Sequence, residues 1–224
     1  MPGGVVLFIG IFIAIAIVIG ILGYLAEKKR REAFQALAQR LGLTYVRRDP
    51  AIAGRYAFLD KLRQGDHRYA FNVLAGTYEG YPVKVFDYHY ETHSTNSKGQ
   101  RRTQHHYFSF FLLEQREVFP ELRIYPEGFF SKIGQMLGYA DIDFESIEFS
   151  KAFCVRSKDR KFAYDICHAR MMEYLLDHRD LSLEIEDNCV ALSFNTRLKP
   201  DQIPGRLEQL VAVVKLFPEY LYRG

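Results

Sequence analysis

Apolar residues run without interruption from Val5 to Leu25, as VVLFIGIFIAIAIVIGILGYL. That is about the length, roughly 20 residues, with which a helix crosses the hydrocarbon of a bilayer. Residues 1–26 are therefore expected to form a single transmembrane anchor. A secretory signal would place positive charge ahead of a shorter apolar core and a small-residue cleavage site behind it. Here the charges come after the run, in Glu27-Lys28-Lys29-Arg30-Arg31, and no such site follows. The pattern predicts a helix that is retained.

Beyond the anchor the apolar period becomes helical. Ala33, Phe34, Leu37, Ala38 and Leu41 lie on one stripe, which predicts an amphipathic juxtamembrane helix over 27–42 that stops at Gly42. Alternation then dominates. Leu43–Val46, Tyr69–Leu74, Tyr81–His93 and Tyr107–Leu113 are predicted as strands, with Leu122–Tyr125 and Phe153–Arg156 as shorter ones and Arg47–Pro50 as a turn. Later segments mix helix and strand. A short helix is expected over Gly128–Leu137, and one helix carries Ala163, Ile166, Cys167, Met171, Tyr174 and Leu175 behind an Asp159 cap. Leu181–Ile185 and Cys189–Phe194 are predicted as a hairpin across Glu186-Asp187-Asn188, and a last helix presents Leu207, Leu210, Val211, Val214 and Phe217. Grouped strands with helices set apart define an α+β class, with one domain over 43–224 built on a mostly antiparallel sheet with flanking helices.

Charge adds direction to this plan. Lysine and arginine beside a spanning helix stay on the cytoplasmic side. The flank before Val5 has neither, whereas Lys28, Lys29, Arg30 and Arg31 follow the run. The N-terminus is thus expected outside and the domain in the cytoplasm. The three cysteines, Cys154, Cys167 and Cys189, are widely spaced, as suits reduced, buried thiols. A net charge of +3 is too small for a dedicated nucleic-acid binder, and none is expected as a partner. The basic residues that do cluster, Lys28 to Arg31 together with Lys98, Arg101 and Arg102, suit contact with anionic lipid or an acidic protein partner. Gly10 and Ala14, with Ala16 and Gly20, have the spacing of small-residue helix packing, so self-association through the anchor is a further expectation.

Candidate chemistry is concentrated in FDYHYETHSTNSKGQRRTQHHYFSF, Phe86 to Phe110, which holds four of the seven histidines. A hairpin with Gly99 at its tip pairs Phe86 with Leu112, Tyr88 with Phe110 and Tyr90 with Phe108, an aromatic ladder on one face. The other face carries Asp87, His89, Glu91 and His93, with His93 opposite His105, and reads as a solvated polar surface. His89, Glu91, His93 and His105 are the candidate ligands for zinc or a base–acid pair. About 13 Å separates the backbones of His89 and His93 along one strand. The convergent set is therefore His93, His105 and Glu91, with a further ligand needed from elsewhere, and His106 falls on the opposite face. Asp141, Asp143 and Glu145 form a loop-like acidic cluster. Phosphate-loop, dinucleotide-binding and nucleophile-elbow motifs are missing from the sequence.

Ile147 to Asp159, the Met171-Met172-Glu173 turn, Gly76 to Gly80 and Val85 to Tyr88 together resemble uncharacterised bacterial membrane-anchored proteins classed as a domain of unknown function. The resemblance covers roughly residues 70–195 and implies a bacterial inner-membrane setting. It brings no activity and no functional residues. The expected function is a membrane-anchored, non-enzymatic binding or scaffold module without a cofactor. The alternative is a zinc-dependent hydrolase using the histidine face of the 81–113 hairpin.

Overall fold

The computed structural model describes residues 2–97, 99–127 and 142–222. Lys98, Asp141 and the helix expected over 128–137 lie outside the described residues. One helix, α1 (Pro2–Leu41), carries both the apolar run and the amphipathic stripe without a break. Its apolar side chains from Phe8 to Leu25 are exposed. Among the described residues it is the one helix long and apolar enough to cross a membrane. The stripe does what its spacing predicts, since Phe34, Leu37 and Ala38 are buried against the domain. The helix ends in a Schellman-type cap. Gly42 takes φ 68°, and the Leu43 N–H donates to the Ala38 carbonyl at 2.9 Å.

After β1 (Thr44–Asp49) come two short helices, α2 (Ala51–Arg55) and α3 (Asp60–Arg63), then β2 (Asp66–Tyr78), β3 (Tyr81–Thr95) and β4 (Arg101–Pro126). The chain continues through α4 (Ile147–Ala152), β5 (Phe153–Ser157), α5 (Arg160–Ile166), α6 (Ala169–Asp177), β6 (Ser182–Phe194) and α7 (Ile203–Lys215). The six strands form one antiparallel sheet in the order β1-β2-β3-β4-β5, with β6 on the other edge of β4. The α+β class is as expected. β3 and β5 share one edge of β4 at its two ends, because β4 is 26 residues long.

Helices cover both faces. On one, the α1 stripe with α5, α6 and α7 encloses a core that includes Val83, Val85, Phe111, Leu113 and Leu210. On the other, Ile52, Tyr56, Leu59 and Leu62 from the α2–α3 region close over Phe86, Tyr88, Phe108 and Phe110. Aromatic side chains bury a large area each, so the two short helices suffice to seal that face.

Four local expectations are corrected. The hairpin register is shifted: Phe86 pairs with Phe110, Tyr88 with Phe108 and Tyr90 with His106. The connecting loop runs from Asn96 to Gln100, with Gly99 in a left-handed conformation after a turn closed by its N–H on the Asn96 carbonyl. Its centre falls one residue before Gly99, which moves every pair by two and leaves the faces unchanged. Second, the two predicted strands fall in one, Ser182–Phe194. Asp187, at φ 55°, faces Phe119 where β4 carries surplus residues between Glu114 and Leu122, so both strands bend together. Third, the helix expected across Ala163 to Leu175 is split. His168 is extended and caps α6, its Nδ1 accepting from the Met171 N–H at 3.4 Å while Nε2 donates to the Leu216 carbonyl at 2.8 Å. Fourth, Arg47 to Asp49 extend β1, and the Asp49 carboxylate opens α2 by accepting from the Ala51 N–H at 2.9 Å.

Candidate functional site

Side chains on a strand alternate between faces, so Val83, Val85, Asp87, His89, Glu91 and His93 share one face of β3. The two valines join the core under α1. Asp87 comes next and is fully buried. It accepts from the Arg30 guanidinium of α1 through both oxygens, from Nη2 at 2.9 Å to each and from Nε at 3.1 Å, and once each from Asn72 at 3.0 Å and Ser109 at 3.0 Å. Arg197 stands 3.5 Å away and forms a forked pair with Glu27 of α1. Burying a carboxylate is tolerated only when it is paired and hydrogen-bonded, and Asp87 meets both conditions. The root of the face expected to be solvated is therefore sealed. Arg30, grouped by sequence with the contact residues, is turned into the domain with a side chain 15% exposed. Lys28 and Lys29 stay exposed, with Lys28 at 3.9 Å from Glu32, and Arg31 is half-buried.

Beyond Asp87 the face becomes a histidine–carboxylate cluster drawn from three strands. The corrected register puts Glu91 opposite His105, and His93 opposite Thr103. His89 is buried, with Tyr69 on one side at 4.7 Å between ring centroids and Tyr107 at 4.8 Å. Its Nδ1 faces the His67 carbonyl at 3.3 Å. A carbonyl can only accept, so Nδ1 carries the proton and the Nε2 lone pair points inward. Burial lowers the imidazole pKa below its ordinary value, which favours this neutral form. Nε2 lies 3.1 Å from His105 Nδ1, and that nitrogen lies 3.4 Å from Glu91 Oε1. The other Glu91 oxygen is 3.1 Å from His67 Nδ1.

His67 is the residue that sequence reasoning missed. It sits where β2 shifts register between Asp66 and Tyr69 and has φ 49°, so its imidazole swings toward Glu91. Gly65, two residues before it, has φ 64°, and a Cβ there would lie 2.3 Å from the Glu91 carbonyl oxygen. The strands approach closely because position 65 is glycine. His93 uses Nδ1 on the Thr103 hydroxyl at 3.0 Å and turns Nε2 toward Asp66 at 3.9 Å. Two overlapping triads result, His67–Glu91–His93 and His89–Glu91–His105, each with ligand atoms within 4.8 Å of one another. His106 points away, stacked on Tyr90 at 4.5 Å and bonded to Thr92 at 2.8 Å, as its strand position predicts.

A second charged group lies where α3 meets β4 and β6. Buried Arg123 binds Asp60 at 2.9 Å and also Glu121, while the Asp60 N–H donates to Glu184 at 2.8 Å. Glu186 joins this group 3.8 Å from Arg123; burial first, and then the Glu121 charge, push its carboxyl up to about 7. Arg123 sits among the carboxylates as their counter-charge, which gives the group a structural role. All three cysteines are buried, and burial pushes the Cys189 thiol up to about 12, so these are inert thiols.

A helix continuous with an apolar segment, packed on a bent antiparallel sheet with helices on both faces, defines the class. Against known proteins, no family model matches the chain and no curated protein matches it. Among solved structures it shares its fold with the crystal structure of the mycobacterial trehalose monomycolate transport factor A, TtfA, at a TM-score of 0.62 and 14% identity. The match covers 85% of this chain and 95% of that one.

Proposed function

We propose that the chain is a single-pass protein of a bacterial inner membrane, N-terminus outside, whose cytoplasmic domain is a non-enzymatic binding or scaffold module working at the bilayer surface. The observation that carries this reading is the direction in which the hairpin leaves the helix. Leu43, just past the end of α1, packs on Gly76, which pairs with Val83. Arg30 packs on Asp87. Moving along α1 toward the anchor therefore moves along β3 toward the hairpin tip. From Arg30 back to Leu25 is about 7.5 Å of helix, whereas Asp87 to Thr95 is about 26 Å of strand. The strand is therefore more than long enough to bring Arg101 and Arg102, paired with Thr95 and Ser94 and exposed, to the level of the lipid headgroups when it is inclined away from the α1 axis; a strand running along that axis would overshoot into the hydrocarbon. Anionic headgroups attract such residues at about 1 kcal/mol each.

The name of TtfA, a transport factor, supports a role as an accessory to a membrane process. Fluorophores at Thr95 of the full chain in nanodiscs test the orientation. Quenching by headgroup-labelled anionic lipid is expected, weakened by Arg101→Glu/Arg102→Glu. A label that stays unquenched would overturn the membrane-facing reading and leave a protein partner as the occupant of the tip. Trypsin should reach residues 27–224 in inverted membrane vesicles and not in intact spheroplasts.

A further inference from the structure

We propose that His89, Glu91 and His105 form a binding site for one zinc-class divalent ion. Two imidazoles and a carboxylate are a borderline ligand set that suits zinc and its transition-metal neighbours and not magnesium or calcium. The spacing fits the same ion. Bonds of ~2.0–2.1 Å in a tetrahedron give ligand-to-ligand edges of about 3.4 Å. The observed edges are 3.1 Å between His89 Nε2 and His105 Nδ1, and 3.4 Å between His105 Nδ1 and Glu91 Oε1. All three atoms lie within 4.8 Å of one another.

The site is also supported from behind. Ligating histidines typically donate their second ring N–H to a carbonyl or carboxylate, which fixes tautomer and orientation. His89 does this through Nδ1 on the His67 carbonyl, and its ring is held between Tyr69 and Tyr107. Glu91 is likewise oriented, its other oxygen bonded to His67 Nδ1. Zinc entering between the three groups takes the Nδ1 lone-pair position on His105, the single proton of that neutral ring passing through water from Nδ1 to Nε2, so that the ring binds as a neutral ligand. His105 is 53% exposed and Glu91 18% exposed, so the fourth coordination position opens outward to water or a ligand. This surface lies on the hairpin between Asp87 and the basic tip.

The test is a titration of the metal-stripped full chain in detergent with Zn2+, followed by calorimetry, and with Co2+, followed by its visible ligand-field bands. One equivalent is expected, with cobalt bands of low-symmetry four- or five-coordinate character. His105→Ala and His89→Ala should each weaken binding by more than the roughly 10–100-fold that an outer partner is worth. His106→Ala, on the opposite face, should bind as the parent does. His67→Ala should keep the single equivalent and weaken it within that outer-partner range. Failure of the folded parent chain to bind Zn2+ would overturn the proposal, as would a His105→Ala variant that binds as tightly as the parent. Since His105 is largely exposed, that variant reads the site even where His89→Ala disturbs folding.

Discussion

Arg30→Met keeps the length and apolar stem of the side chain and removes the charge that Asp87 was buried against. Asp87 would retain Asn72 and Ser109, each at 3.0 Å, and Arg197 at 3.5 Å. Arg197 is already engaged with Glu27, so its compensation is partial. The Leu198 carbonyl also loses the donor that Arg30 supplies at 2.8 Å. Removing one partner of a buried ion pair costs 3–5 kcal/mol, and the remaining donors place this case near the lower end, about 3 kcal/mol. For a chain of this size each kcal/mol moves the melting temperature by about 2–4 °C, giving a drop of roughly 6–12 °C. Asp87→Asn should cost a similar amount, by leaving two guanidiniums short of a carboxylate. The double variant should lose less than the sum, with a coupling of about 2 kcal/mol. The chain has no tryptophan, so the assay is near-ultraviolet circular dichroism of its tyrosines, with the full chain in detergent. Additive losses, or an Arg30→Met melt within about 2 °C of the parent, would refute the claim that this pair locks the anchor helix to the sheet.

Three further perturbations read other parts of the fold. Burial lowers the Lys61 ammonium from 10.5 to about 8; because the native state gives up this proton before the unfolded chain does, the cost of the charge is full below pH 8 and fades toward 10.5. Lys61→Met should therefore stabilise the protein by about 2 kcal/mol at pH 7, after subtracting the bond to Asn195, with the gain shrinking as the pH rises above 8 and nearly gone by 10.5 in urea titrations. Glu186 has the opposite chemistry and a raised carboxyl of about 7, so its ionisation costs stability as pH rises from about 4.5 through 7. Glu186→Gln should be neutral at pH 4.5 and gain about 1 kcal/mol at pH 8.5, a figure reduced for partial solvent screening; an equal effect at both pH values would contradict it. Gly65→Ala places a Cβ 2.3 Å from the Glu91 carbonyl oxygen and 2.5 Å from the Tyr90 ring at φ 64°. A loss of about 2–3 kcal/mol is expected, with faster hydrogen exchange at the β2–β3 amides near His67; unchanged exchange there would show that the strands need no close approach.

The two faces of the hairpin were legible because alternation survives a register shift of two residues, and that shift is what the loop introduced. Its register was not legible, since it depends on which residue of the Asn96–Gln100 loop takes the left-handed position. The α1 stripe was readable from Phe34, Leu37 and Ala38 because a helical period is local. The burial of Asp87 was not, because its partner Arg30 lies 57 positions away and also satisfies the rule for a cytoplasmic flank. His67 escaped for a related reason: strict alternation from Tyr69 gives no sign that β2 shifts register and turns this ring toward Glu91. Glu186-Asp187-Asn188 looked like a turn because three polar residues interrupt two apolar runs. The long β4 opposite accommodates the same residues as a bend in one strand.

The division of the β3 face follows from the composition of the helix that covers it. Where α1 offers Phe34, Leu37 and Ala38, the face is Val83 and Val85. Where α1 offers Arg30, it is Asp87. Toward the anchor from Glu27, α1 has no ionisable side chain except Tyr24, so it has no charge with which to match another buried polar group on the sheet. The polar residues from His89 outward must then satisfy one another across strands, and they do so through Glu91, which joins His67 of β2 to His105 of β4. A single carboxylate holding two rings from different strands is a weak clamp in water, where each contact is worth at most about 1 kcal/mol. An ion bound by the same groups would fasten β3 to β4 much more strongly, because its coordination energy exists only in the folded arrangement. Zinc should therefore slow hydrogen exchange selectively at the β3–β4 amides between His89 and His105 and leave the Asp87–Arg30 region unchanged.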